Sequence, residues 1–162
     1  NLKDTPLKSI TSPPYGESHK AEGSPGGILD TNRQDLQKCI WTKGIESIDL
    51  PVAHGEGRFV APEDLCRRLF DEGLVVFQYI DKNRNPTMKF PENPNGSAEA
   101  IAGICDPEGL VFGLMPHPER AIAFTQLPDW TLRKEKLVRE GYGLPTEADG
   151  MKFFRNGVNY FN

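Results

Sequence analysis

A helix signal that runs straight into a continuous apolar run most narrows what this chain can fold into. Pro62 suits the first position of a helix, Glu63 and Asp64 favour its positive end, and Leu65, Leu69 and Phe70 recur at helical spacing until Gly73 stops it. Leu74, Val75, Val76, Phe77, Gln78, Tyr79 and Ile80 follow at once. A half-exposed strand would alternate polar and apolar residues, so this run predicts a strand buried in a sheet covered on both faces. Helix followed by buried strand predicts the α/β class.

The flanking segments extend that pattern. Residues 36–42 show a weak two-residue period before Gly44 and read as a strand, and 45–52 read as a second extended run that delivers the chain into His54-Gly55-Glu56-Gly57-Arg58. Segment 81–97 carries Asn85-Pro86, Pro91, Asn93-Pro94 and Asn95-Gly96, turn formers at nearly every step, and is expected to be a long irregular loop. Runs 100–105 and 110–115, joined by Asp106-Pro107-Glu108-Gly109, read as a hairpin. Two helices are expected over 129–140 and 149–161, with Leu132, Leu137, Phe153, Phe154, Val158 and Phe161 as apolar contacts. Pro, Gly and Ser crowd the first 27 residues, including Pro13-Pro14, Pro25 and Gly26-Gly27, so that stretch is expected to sustain no helix or strand hydrogen bonding, and residues 1–31 to be a loop or disordered lead-in. Residues 32–162 then form one domain or part of one. The expected architecture is a mostly parallel sheet with flanking helices and one antiparallel hairpin.

With 162 residues and 37% hydrophobic composition, one core is the ceiling. The net charge of -4 argues against a nucleic-acid partner, which would need clustered cations to neutralise phosphates. No apolar run approaches the roughly 20 residues that span a bilayer, and the first residues hold no signal-peptide core. A cytoplasmic protein without a membrane partner is expected. Cys39, Cys66 and Cys105 are odd in number and form no CxxC pair, which predicts reduced thiols and no metal site. The sequence starts at Asn1 rather than Met, as a fragment or a processed product would.

Chemistry concentrates in Pro116-His117-Pro118-Glu119-Arg120. The two prolines fix the backbone around His117 and forbid a helix there. A carboxylate two residues on can accept a hydrogen bond from the far imidazole nitrogen, which is the base-and-orienter half of a Cys-His-Glu arrangement. A bare H-x-E triplet serves equally as a surface loop whose histidine caps something. No cysteine here sits where such a base would need it. A nucleophile elbow runs strand, turn, helix, so that a helix N-terminus lowers the thiol pKa, whereas Cys105 is followed by a turn and a second strand. Cys39 in a strand and Cys66 in a helix read as small apolar fillers.

Three further segments occur in a fixed order with that turn: 50–59 containing Ala53-His54-Gly55-Glu56-Gly57-Arg58, 93–97 reading Asn-Pro-Asn-Gly-Ser, and 101–104 reading Ile-Ala-Gly-Ile. Together with 113–120 they resemble the glutaminases of phosphoribosylformylglycinamidine synthases, within the class I glutamine amidotransferases. The resemblance covers about 32–161. It implies the flavodoxin-like amidotransferase fold, incomplete at its N-terminal side. His117 would be the general base that deprotonates a cysteine and later protonates ammonia, and Glu119 would orient it. His54, Glu56 and Arg58 would lie on a loop facing the active site or the partner. The nucleophile and oxyanion hole would come from an N-terminal half of the domain, and this chain would supply no nucleophile. Glutamine would be the substrate. The partner would be a synthetase that makes phosphoribosylformylglycinamidine in purine synthesis; ATP and magnesium would belong to that partner, and no cofactor to this chain.

Two alternatives remain at this point. One is an inert amidotransferase-like module that only binds the synthetase. The other is a metal-dependent hydrolase with His54, Glu56, His117 and Glu119 as ligands, although neither H-x-E pair has the i, i+4 spacing of zinc-binding helices.

Overall fold

The run of Val and aromatic residues at 75–79 takes the middle of the sheet. The computed structural model describes residues 8–9, 28–30, 38–53, 55 and 57–162. Ten helices and strands follow in order: β1 (Lys8–Ser9), β2 (Ile28–Asp30), β3 (Ser47–Ile48), β4 (Pro51–Val52), α1 (Glu63–Asp71), β5 (Val75–Tyr79), β6 (Ile101–Cys105), β7 (Phe112–Leu114), α2 (Trp130–Arg139) and α3 (Met151–Phe161). Five strands pair in the order β3-β2-β5-β6-β7, while β1 and β4 form a separate ladder. Central β5 is buried at every position except half-buried Gln78, whose amide donates to the Glu99 carbonyl at 2.8 Å. That bond explains how one polar residue sits inside an apolar run.

The core is anchored where β5, β7 and α3 meet. Phe77, fully buried, lies 6.1 Å from Phe112 and 5.9 Å from Phe153, and the last two stack at 5.8 Å. Burying a ring of this size contributes about 1.5–3 kcal/mol. The next turn along the same face of α3 docks on a short 3-10 turn, Ile40–Thr42, where Asn156 Nδ2 donates to the carbonyls of Trp41 and Lys43 at 2.9 Å each. A Cβ at Gly157 would overlap the Trp41 ring, so glycine lets helix and indole touch.

The predicted α1, β5, hairpin and two C-terminal helices are all present within a residue or two of their expected ends. Three expectations need correction. All described pairings are antiparallel, not mostly parallel. The strand before α1 is β4, which pairs with β1 in the other ladder, and β5 reaches β6 through the 80–100 loop without a crossover helix, so no parallel βαβ unit closes. Residues 40–42 form a 3-10 turn instead of a strand. Their hydrogen bonds go to the β6–β7 turn, Ile40 N–H to Gly109 O at 3.0 Å and Trp41 Nε1 to Leu110 O at 2.8 Å. Finally, the 1–31 lead-in contributes two strands: β1 between its prolines, and β2, which follows Gly26-Gly27 and pairs with both β3 and β5.

None of the described helices is long and apolar enough to cross a membrane. On α3, Phe154, Val158 and Phe161 stand exposed at helical spacing.

Candidate active site

The β6–β7 hairpin aims the chain at His117. Its ladder extends past β7 through Met115 N–H to Ala102 O at 2.8 Å, and Pro116 is buried directly after it. His117 is extended, with φ -106 and ψ 92, and Pro118 opens a 3-10 turn over Pro118–Ala121. Proline at that position is pre-set for a helical turn and lacks only an N–H that would have no partner there. The His117 N–H donates to Pro51 O in β4 at 2.9 Å. The turn that carries the imidazole is thereby fastened to the strand that feeds the 53–58 loop.

His117 Nδ1 lies 2.7 Å from Glu119 Oε1. Burial raises the Glu119 pKa, but the His117 hydrogen bond, the backbone amide and the nearby Arg120 outweigh it and hold the carboxyl below its ordinary value. An ionised carboxylate only accepts, so Nδ1 carries the proton of this bond and Nε2 is the basic nitrogen of the ring. Side-chain exposures of 31% and 55% leave the pair open to solvent, so its worth to stability is small.

The sign of the pH effect follows from that depressed value. Glu119 contributes its stability above the ordinary carboxylate value of 4.5 and loses it as pH falls through the lower folded value. Glu119→Gln is therefore expected to lower stability slightly from about pH 6 to 8, where the ionised carboxylate contributes it, and to match the parent below the folded value, so that the acid limb flattens. A variant that changed stability equally at every pH would contradict the pairing.

Two contacts brace the turn from behind. Gln126 Oε1 accepts from the N–H groups of Ile122 and Ala123 at 3.0 and 2.8 Å, and its amide donates to Glu119 O at 3.4 Å. Gly150, which caps α3, donates its N–H to Ala121 O at 2.9 Å, and a Cβ there would overlap the carbonyls of Pro118 and Ala121. Sequence reading took neither residue as part of the site, because each acts through a backbone that is close only in the folded chain.

Of the other expected site residues, Arg58 is exposed, and its Nη1 would lie 3.9 Å from a Cβ on Gly96. His54 and Glu56 lie outside the described residues. What sequence reading missed is the grip on their loop. Asn95 Nδ2 donates to both Gly55 O and Gly57 O at 2.7 Å. The motif Asn93-Pro94-Asn95-Gly96-Ser97 was visible, but as turn chemistry and as one segment of the family resemblance.

The three cysteines are free and buried. Cys66 lies inside α1, and Cys105 ends β6 with a turn and a strand after it. A hydrogen bond shared with Cys39, together with burial, pushes the Cys105 thiol up. The same bond holds Cys39 down to about 7 against burial, but at 3% exposure that sulfur offers no approach to a substrate. Among the described residues, no group of three His, Cys, Asp or Glu could hold a metal ion.

Comparison with known families assigns the domain: the CobB/CobQ-like glutamine amidotransferase domain matches residues 26–161. The chain belongs to this glutamine amidotransferase family. Among curated amidotransferase relatives, "Phosphoribosylformylglycinamidine synthase subunit PurQ" of Methanococcus maripaludis is 44% identical, over 96% of this chain and 60% of the relative. The same-named subunit of Dehalococcoides mccartyi is 39% identical over 75% of this chain and 43% of its own length. A solved structure, "Structure of PurLQS from Thermotoga maritima", shares 28% identity at a TM-score of 0.48, covering 84% of this chain and 46% of that one. This amidotransferase chain thus spans 60% or less of the length of these relatives. The family match gives the α/β amidotransferase class of fold.

Proposed function

We propose that this chain forms the general-base part of a glutaminase that releases ammonia from glutamine for a phosphoribosylformylglycinamidine synthetase. The observation that carries the reading is the 2.7 Å His117–Glu119 pair on a proline-clamped turn within an amidotransferase domain. Residues 26–161, which the family model matches and which include β2, form its body. In this reaction His117 Nε2 takes the proton of a cysteine thiol as the sulfur adds to the side-chain amide carbon of glutamine. The tetrahedral intermediate collapses when the imidazolium gives that proton to the leaving nitrogen, releasing ammonia and a thioester. His117 then deprotonates water, which hydrolyses the thioester to glutamate and returns the thiol. Glu119 keeps the ring in one tautomer and stabilises its positive form.

Burial of Cys39, Cys66 and Cys105 supports a nucleophile outside this sequence. The family description supports glutamine as substrate, and the relatives' names, each a subunit of a phosphoribosylformylglycinamidine synthase, support the synthetase as partner. The test joins the portion of the Methanococcus maripaludis relative that this chain does not span to residues 26–162. Glutamine hydrolysis is then measured with the synthetase subunit present. The chain alone is expected to be inactive and the chimera active. A soluble, folded chimera that binds the synthetase but turns over no glutamine would favour an inert docking module instead.

A further inference from the structure

Two of the three buried thiols meet, and the reaction above uses neither. Cys39 stands just before the 3-10 turn Ile40–Thr42, and Cys105 ends β6. Backbone contacts on either side bring them together. Lys38 Nζ donates to Glu72 O at 3.0 Å and the Cys105 N–H to Leu74 O at 2.9 Å, so both stretches rest on the segment between α1 and β5. On the other side Ile40 N–H donates to Gly109 O at 3.0 Å, and Gly109 N–H to Asp106 O, next to Cys105, at 3.0 Å. The chain at Lys38 passes so close to Gly109 that a Cβ there would overlap the Lys38 carbonyl. Both sulfurs lie in one core cluster, and a hydrogen bond joins them in which Cys105 donates and Cys39 accepts.

That bond gives the two thiols different roles. It stabilises the Cys39 thiolate, so Cys39 ionises first, while the same bond and burial keep the proton on Cys105. Cys39 is then the nucleophile and Cys105 the thiol that resolves it. Cys66 has no such neighbour in its own cluster: it is buried with Val75 and Ile101, and its Sγ bonds to Ala61 O at 3.8 Å. Exposed Lys38 and half-buried Ile40 flank Cys39, and exposed Pro107 and Glu108 follow close after Cys105. A brief opening of these surface turns admits a reactant of two heavy atoms where glutamine finds no approach.

We infer that Cys39 and Cys105 form a peroxide-oxidised dithiol site, closing to a disulfide that ties the turn under α3 to the hairpin leading to His117. The Cys39 thiolate attacks one oxygen of hydrogen peroxide and the O–O bond breaks. Cys39 becomes a sulfenic acid, and the departing hydroxide takes up the proton that Cys39 had released and leaves as water. The Cys105 sulfur then attacks the Cys39 sulfur, the S–O bond breaks, and the Cys105 proton leaves with the hydroxyl as a second water. Two thiols thus give two electrons to one peroxide. The new bond would join parts already in contact, since Asn156 docks α3 on the Trp41 and Lys43 carbonyls just after Cys39, and β6 carries β7 toward His117. This site stands apart from the glutaminase reading.

The experiment treats the reduced, folded chain with hydrogen peroxide near neutral pH, then alkylates the remaining thiols in denaturant and reads intact mass and peptide links. The chain is expected to lose about 2 Da before alkylation and to regain it with dithiothreitol. Links between Cys39 and Cys105 should exceed links to Cys66 about tenfold or more, whereas chain unfolded in urea before the peroxide gives all pairings at similar levels. In Cys105→Ser, Cys39 stops at the sulfenic acid and is captured by dimedone; in Cys39→Ser, the Cys105 thiol stays alkylable. Three thiols that all stay alkylable in the folded chain, or links to Cys66 as frequent as the Cys39–Cys105 link, would overturn the site. Dimedone capture on Cys105 in Cys39→Ser would overturn the division of roles. If a serine variant fails to fold, the linkage in the unsubstituted chain decides.

Discussion

His117→Gln in the chimera is expected to lower glutamine turnover about 10³-fold, within the range that removal of a positioned base produces. Glutamine has the size to replace the ring but no nitrogen that accepts a proton at neutral pH. The thiol then loses its base, and the departing nitrogen loses its acid. Stability should barely move, by about 0.5 kcal/mol or less, because the side chain is partly exposed and its main partner is exposed Glu119. The backbone N–H to Pro51 O remains whatever the side chain. Turnover assays beside thermal melts check both halves. A variant with near-normal turnover would remove His117 from the chemistry, and one that unfolds would make it a structural residue.

Gly150→Ala should have the largest effect on the fold among small substitutions near the site. The backbone at Gly150, φ -58 and ψ -24, is one alanine adopts without strain, so any cost comes from space. The added methyl would meet the Pro118 and Ala121 carbonyls, which are backbone atoms and cannot turn aside as a side-chain end can. Alanine is also a poorer helix cap than glycine. Together these predict a loss of about 2–4 kcal/mol, or roughly 5–12 °C in melting temperature for a domain of this size. Because the displaced carbonyls flank Glu119, turnover should fall as well, even well below the melting temperature. Calorimetry and turnover on the same sample test this. An unchanged Tm would mean that α3 can slide away from the turn, and that the turn does not depend on it.

Segments whose neighbours in sequence are also their neighbours in space were legible from the residues. Pro62 to Gly73 made α1, the apolar run made β5, and Asp106-Pro107-Glu108-Gly109 made the hairpin turn with Gly109 N–H on Asp106 O. The His117–Glu119 bond spans two residues on a proline-stiffened turn, so it too was local. Residues 40–42 were misread because their partners, Gly109, Leu110 and Asn156, lie far along the chain and override a weak alternation. The antiparallel pairing of β5 with β2 and β6 was equally hidden, since a buried strand looks the same whichever way its neighbours run.

The residues alone determined most of the elements from α1 onward, the α/β class, the amidotransferase likeness and the His117–Glu119 pair on its turn, because propensity, periodicity and short-range hydrogen bonds act over a few positions. Only tertiary structure decided strand partners, the docking of α3 on the His117 turn, and the hold of Asn95 on Gly55 and Gly57. Those depend on which distant backbone groups arrive together, and a backbone carbonyl carries no letter by which a sequence could announce it.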